Sequence, residues 1–579
     1  MCGIIGYVGN DEKAVEVILD GLSKLEYRGY DSAGLAIIEK GHLFVEKKSG
    51  KLDNLKESLK DAGHYSNVGI GHTRWATHGV PTDVNSHPHC SCDKKVAVVH
   101  NGIIENYAVL KDELIEKGYI FSSDTDSEVA AQLFSYLYTG DLLETIMKVR
   151  DRIRGSYALG IIHEEQPDKI ICTRKESPLI IGLGKDKNFI ASDVPAILKY
   201  TRDVIFLEND EIAVIEEGKV TVFDKEGKPI EKEVTKIEWD MEQASKNGYP
   251  HFMLKEIEEQ PAVVERTLEV YIKPDGKVDF GKAFEKIDFE KIKEIDIIAC
   301  GTAYHAGLQA AYFFKKMAKI KTNVDIASEF RYSDPFLSED NLVIFISQSG
   351  ETLDTLMALK LARSKGAKTL AITNVVGSTI SREADVVLYT VAGPEISVAS
   401  TKAYTTQVVT FYLLALYVAF KCNRVTLEEY ESYLDKIYSL SEKIGKMFFN
   451  KEKIEKIAQE VKDRKNGFYI GRGIDEKITR EGSLKMKEIT YIHTEAFPAG
   501  ELKHGTISLI TEGVPVIAIA TQESVLPKLM ANVEEVKARG AHVIVVTDKD
   551  MTNYEGIYDD LIQVPATDDL FATFPSTVA

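Results

Sequence analysis

The second half of the 579-residue chain repeats itself, and that repeat restricts the fold more than any other feature. From Ile295 onward, buried-strand runs (Ile295–Ala299, Leu342–Ile346, Thr369–Ile372) are each followed by small or polar residues and then a helical period. Strands apolar on both faces that alternate with helices belong to a parallel, doubly wound sheet. The pattern then recurs. Phe468–Gly471 answers Ile298–Gly301 at an offset of 170, Val516–Ala520 answers Val343–Ser347 at 173, and Gly540–Asp548 answers Gly366–Asn374 at 174. Two copies are too few for a solenoid and predict a pseudo-symmetric pair of α/β units in tandem.

The first 220 residues read differently. Short β-branched runs (Val96–Val99, Tyr157–Ile162, Ile212–Ile215) lie among helical periods (Val15–Leu25, Leu110–Lys117, Ser127–Tyr138), which predicts a mixed α+β domain. The expected division is 2–220 for this domain, 221–285 for a polar connection with one ordered helix interrupted at Pro261, 286–425 for the first α/β unit and 455–579 for the second. A net charge of −19 argues against nucleic acid as a partner, because phosphate backbones need a basic face. Six cysteines, at 2, 90, 92, 172, 300 and 422, show no disulfide spacing and suit a reducing compartment. The start does not read as a signal peptide, and the apolar run Phe411–Phe420 is short for a membrane span and reads as a buried helix. The expectation is a cytoplasmic protein without a membrane partner.

Cys2 follows the initiator methionine, so its removal would leave a thiol and a free α-amine on one residue. That amine titrates near 7.7–8.0, a suitable value for a general base beside the nucleophile it serves. The glycines of Cys2-Gly-Ile-Ile-Gly6 let backbone approach an apolar strand start. Farther on come Gly71-His-Thr-Arg74-Trp75-Ala-Thr77-His78-Gly79, Asn85-Ser-His87-Pro-His89, His100-Asn101-Gly102 and Ser123-Asp-Thr-Asp126-Ser-Glu128. A glutamine amide hydrolase needs a fork for the α-carboxylate, an anion for the α-ammonium and donors for the oxyanion. Arg74, Asp126, and Asn101 with the Gly102 N–H are of those types, although either charge alone could be a solvated ion pair. His87-Pro-His89-Cys90-Ser-Cys92 lacks regular zinc-ligand spacing and reads as loop wall, so no metal is expected.

In the first α/β unit, Ser347-Gln348-Ser349-Gly350-Glu351-Thr352 follows a buried strand and opens a helix. Hydroxyls, backbone N–H groups and a helix N-terminus there favour a phosphate dianion. Cys300-Gly-Thr302-Ala303 and Ala399-Ser400-Thr401-Lys402 are similar turns, and each alone could be an N-cap. The second unit has Ala520-Thr521-Gln522-Glu523 at the equivalent place, which disfavours a second phosphate site. It offers instead Glu481, Lys485 and Glu488 on one helix face, and Glu501-Leu-Lys-His504-Gly505. A carboxylate and a histidine opposite a sugar-phosphate pocket are what aldose–ketose proton transfer requires.

Taken together with Leu25-Glu-Tyr-Arg-Gly-Tyr-Asp-Ser-Ala-Gly34 and Val398–Thr401, these motifs resemble those of the glucosamine-6-phosphate synthases, the isomerising glutamine:fructose-6-phosphate amidotransferases, from Cys2 to about Val564. The resemblance implies a class II (N-terminal-nucleophile) glutaminase sandwich followed by two sugar-isomerase (SIS) domains. It implies conversion of fructose-6-phosphate and glutamine to glucosamine-6-phosphate and glutamate, in a homodimer, with no cofactor. Cys2 would form the glutamyl thioester, Asn101 and Gly102 would hold the oxyanion, and Arg74, Thr77, His78, His87 and Asp126 would surround the glutamine. Trp75 would gate an ammonia channel. Thr302, Ser347, Gln348, Ser349, Thr352, Val398, Ser400 and Lys485 would bind the sugar phosphate, Glu488 would move the proton between C1 and C2, and His504, supplied across the dimer, would open the ring. Ala303 and Thr506 stand where many members have Ser and Pro. The resemblance also implies a tail beyond Phe574–Ala579 with a lysine that forms a Schiff base with the open ketose, and no residue between 1 and 579 is assigned that role. Two alternatives stay open: a glutaminase with impaired synthase activity, and a sugar-phosphate-binding regulator.

Overall fold

The computed structural model describes residues 2–11, 13–26, 29–60, 63–76, 78–237 and 246–579. It divides into two compact units, Met1–Ser245 and Lys246–Ala579.

The first unit is built on an eight-stranded and a seven-stranded antiparallel sheet. Period-two alternation explains how they pack. On the strand Gly3–Gly9, Ile4 and Val8 enter the apolar layer shared by the sheets, while Ile5 and Tyr7 face the helix Ala14–Leu25. Likewise Ala97 and Val99 of the strand Val96–Ile104 join the shared layer, whereas Val96 and Val98 meet the helices Glu128–Leu137 and Leu142–Arg152. Helix, sheet, sheet and helix thus form four layers. Cys2 precedes the strand Gly3–Gly9 and Arg74 ends its antiparallel neighbour, with Gly3 opposite Thr73, so the two share one sheet end; Asn101, within Val96–Ile104 of the other sheet, reaches the Cys2 carbonyl.

The second unit contains two five-stranded parallel sheets. The first uses Glu294–Ala299, Lys321–Ile326, Asn341–Ser347, Lys368–Thr373 and Val386–Tyr389; the second uses Asn466–Gly471, His493–Pro498, Pro515–Ile519, His542–Thr547 and Asp560–Gln563. Numbered within each sheet, both run 2-1-3-4-5, the arrangement that opens a ligand crevice beside the first and third strands. Leu342, Val343, Ile344, Phe345 and Ile346 are all fully buried, as a strand covered on both faces requires. The helix Lys402–Lys421 is the one helix among the described residues long and apolar enough to cross a membrane, yet 89% of its most apolar 18-residue stretch is buried in the core.

The stretch 221–285, expected as a polar connection with one ordered helix, contributes elements to both units. Pro229–Ile230 extends the seven-stranded sheet and Thr235–Lys236 the eight-stranded one. Two helices follow rather than one, Phe252–Glu258 and Gln260–Tyr271, and Val264 and Leu268 enter the core of the second unit. Pro261 sits in the first turn of the second helix, where its missing N–H costs no intrahelical bond.

Candidate functional site

In the first unit the Trp75 N–H donates to the Cys2 Sγ at 3.2 Å, and the thiol faces the Trp75 carbonyl at 3.5 Å. Burial pushes the thiol up, while the Trp75 N–H pulls the other way. A resting thiol of this kind needs a base before it can attack. Asn101, 7% exposed, donates through Nδ2 to the Cys2 carbonyl at 3.0 Å. Gly102 has φ +121°, and a Cβ there would lie 2.1 Å from the Ser156 carbonyl oxygen, so no other residue fits.

Arg74 closes the same strand-end cluster. Its Nη2 donates to the carbonyls of His78 and Gly79, the latter at 3.1 Å, while Nη1 is buried without a partner among the described residues. Asp126 accepts the Ile104 N–H at 2.8 Å and keeps acceptor capacity on its other oxygen. Cys2, Asp31 and Asp126 all act electrostatically on Arg74, so the expected nucleophile, carboxylate fork and ammonium acceptor are neighbours. Trp75 is 41% exposed with Tyr30 edge-on at 5.3 Å, and the Ala76 N–H donates to Asp31 at 2.8 Å. Thr77 lies outside the described residues. His78 is half-buried and meets Tyr107 edge-on. His87 lies deeper: it is buried and stacked on His72 at 4.0 Å, so it forms wall behind the site.

In the second unit, the turn Gln348–Thr352 follows the strand Asn341–Ser347 and caps the helix Leu353–Ser364. Ser347 Oγ lies 2.9 Å from Thr352 Oγ1 and accepts the Gly350 N–H at 3.0 Å; the Glu351 N–H donates to Ser349 Oγ at 3.2 Å. The Gln348 carbonyl is tied to the Asn374 N–H at 3.1 Å. Gly350 has φ +67°, and a Cβ would come within 2.0 Å of Ser378 Oγ. The result is a compact nest of hydroxyls and amides at the crevice of the first sheet, suited to a phosphate.

Facing it, the helix Asp475–Thr490 of the second half meets the helix Gly301–Phe313 of the first. Lys485 Nζ lies 2.5 Å from Glu488, 3.4 Å from Glu481 and 3.0 Å from Thr302 Oγ1. Glu481 is buried and accepts from the Thr302 hydroxyl at 3.0 Å, with His305 Nδ1 at 2.7 Å. The helical stripe is therefore an interior network, not a row of surface ion pairs. His305 belongs to no motif in the sequence; its only signal there is its place one turn after Thr302. His504, on the short turn Leu502–His504, is exposed and makes no side-chain hydrogen bond among the described residues, so it does not join this cluster.

Val398 is 48% exposed and Ser400 donates to Glu395 at 2.8 Å. Two buried carboxylates hold their loop. Glu395 accepts the N–H groups of Thr401 and Ala403, and Glu256 accepts those of Ile396 and Ser397. Burial and the neighbouring Glu395 push Glu256 from 4.5 up to about 8. A carboxyl raised on folding contributes stability that is present at low pH and lost as pH rises through the folded value. Glu256→Gln is therefore expected to flatten the fall of Tm with pH across that interval, checked by thermal melts of both proteins.

The equivalent seat in the second half is filled by the chain itself. Asp475 accepts the Thr521 N–H at 2.8 Å and its hydroxyl at 2.6 Å, so a carboxylate already sits on the turn after the equivalent strand. Burial pushes Asp475 up to about 7. A cavity of about 380 Å³ adjoins the Lys485 network, with Glu481, Lys485 and Ser400 on one wall and apolar residues such as Ile478, Ile517 and Val546 elsewhere.

Residues 72–199 match the family described as a glutamine amidotransferase domain, and residues 288–417 and 460–559 match the SIS domain family. The glutamine–fructose-6-phosphate aminotransferase (isomerizing) of Fusobacterium nucleatum is 58% identical over 570 residues, covering 98% of this chain and 94% of its own length. That of Thermus thermophilus is 44% identical over 579 residues, covering 100% and 95%. Among solved structures, the C-terminal domain of glucosamine-fructose-6-phosphate aminotransferase from Francisella tularensis is 38% identical with a TM-score of 0.56, covering 58% of this chain and 95% of that one.

Proposed function

The chain belongs to the isomerizing glutamine–fructose-6-phosphate aminotransferases, and we propose that its two units divide that reaction between them. Glutamine hydrolysis supplies ammonia, and isomerisation with amination turns fructose-6-phosphate into glucosamine-6-phosphate, leaving glutamate. In the first unit the Cys2 thiol attacks the glutamine amide carbon, its proton passing to the α-amine of the same residue once Met1 is removed. Asn101 Nδ2 and the Gly102 N–H receive the oxyanion. Collapse expels ammonia and leaves a thioester, which water hydrolyses to glutamate. Arg74 Nη1, without a partner among the described residues, takes the α-carboxylate and Asp126 the α-ammonium; Thr77 and His78 belong to the same binding set, His87 backs it, and Trp75 gates the exit of ammonia.

In the second unit the nest of Ser347, Gln348, Ser349 and Thr352 takes the phosphate, with Thr302, Val398 and Ser400 beside it. Lys485 fixes the Glu488 carboxylate at 2.5 Å, and Glu488 carries the proton between C1 and C2. Ring opening falls to His504 of the partner subunit, which makes the working form a homodimer, and we place it in the cytosol.

The observation that carries the reading is the cluster at Cys2: the Trp75 N–H on its sulfur, the Asn101 amide on its carbonyl and, preceding Trp75, the buried Arg74 whose Nη1 has no partner among the described residues. Acid quenching of the protein with glutamine, followed by peptide mass spectrometry, tests it. A glutamyl adduct on the Cys2 peptide is expected; hydrolysis of glutamine with an unmodified Cys2 peptide and an adduct elsewhere would overturn it.

A further inference from the structure

His72 is not among the residues assigned a role above. It lies on the strand Val68–Arg74, on the same face as Val68 and Ile70, pointing into the layer shared by the two sheets. Asn101 enters that layer from the facing sheet, on the same side of its strand as Ala97 and Val99. His72 is 1% exposed, and its Nε2 lies 3.0 Å from the His100 carbonyl oxygen and 3.0 Å from Asn101 Oδ1. Its Nδ1 is buried without a partner among the described residues, and its ring is stacked on His87.

These contacts fix a hydrogen-bond polarity. A carbonyl oxygen can only accept, so at 3.0 Å from the His100 carbonyl the Nε2 must carry the proton. A protonated Nε2 then requires an acceptor from Asn101, which turns Oδ1 toward His72 and the amide nitrogen toward Cys2, where it already donates to the Cys2 carbonyl at 3.0 Å. The opposite flip of Asn101 would set two donors against each other and leave an oxygen facing the developing oxyanion. We infer that His72 is a positioning residue for glutamine hydrolysis: held as the neutral Nε2–H tautomer by the His100 carbonyl, it orients the Asn101 amide so that an N–H faces the reacting carbonyl. Burial holds the His72 imidazole down at about 3, so it stays neutral at any working pH.

This inference rests on the oxyanion role proposed for Asn101, and Asn101→Ala separates the two. If Asn101→Ala keeps its kcat for glutamine hydrolysis, the oxyanion reading fails. If it loses about 100-fold while His72→Phe loses nothing, the inference about His72 fails alone. His72→Phe preserves the ring stack but removes the donor. It is expected to lower kcat about 100-fold with KM for glutamine nearly unchanged, and His72→Gln, which restores a donor, to recover most of that loss. A loss confined to KM, or equal losses in the Phe and Gln variants, would overturn the assignment. Should His72→Phe not fold, nitrogen-15 spectra of histidine-labelled full-length wild type decide, with the His72 signals assigned by their absence from His72→Gln. An Nε2–H tautomer is expected, and an Nδ1–H tautomer overturns it.

Discussion

Cys2→Ala is expected to lower glutamine hydrolysis by about 10,000-fold or more, since removing a nucleophile outright leaves only binding and oxyanion stabilisation. Fructose-6-phosphate binding, measured by calorimetry on the same variant, should be unchanged. The reason is positional: Ser347, Thr352, Thr302 and Lys485 all belong to the unit Lys246–Ala579, and their hydrogen bonds are made within it. Residual glutaminase activity within tenfold of the parent would show that another group attacks the amide. Loss of sugar binding would show that the alanine had damaged more than the thiol.

Glu488→Gln carries the second large effect. Glutamine keeps the size and the contact with Lys485 but cannot accept the proton, so proton transfer between C1 and C2 is expected to fall by about 100- to 10,000-fold. The direct measurement is deuterium wash-in from heavy water at the carbon positions of fructose-6-phosphate, because it reports proton transfer without requiring ammonia. Glutamine hydrolysis supplies the internal control. Wash-in at the parental rate would move the base elsewhere, and Glu481 would be the next carboxylate to test, since Lys485 also lies 3.4 Å from it.

Much of the architecture could be read from the chain because it is periodic. The repeated strand–turn–helix pattern became two sheets with the same 2-1-3-4-5 order, and the apolar run Phe411–Phe420 became part of a core helix. The first domain gave only a mixed α+β reading from its residues; the sandwich came from resemblance, since short alternating strands do not state which sheet they join. What escaped was set by register between distant elements. Glu481 meets His305 across 176 residues and two helices from different halves, and His72 meets Asn101 across two facing sheets. No local period encodes such a meeting. The second half shows a subtler limit: in sequence Glu523 stands against a second phosphate site, but it is Asp475, from a different turn, that the fold brings onto the Thr521 N–H and hydroxyl. The span 221–285 looked polar because strand edges and helix faces there are half exposed, although its elements are integral to both units.

Transfer of nitrogen from glutamine to sugar is the central claim, and glutamine labelled with nitrogen-15 at the amide tests it most directly. Incubated with the purified protein and fructose-6-phosphate, it should yield glucosamine-6-phosphate carrying the label, in step with glutamate. Glutamate with labelled ammonia in solution and no glucosamine-6-phosphate would contradict the account, leaving a glutaminase whose second unit only binds sugar phosphate.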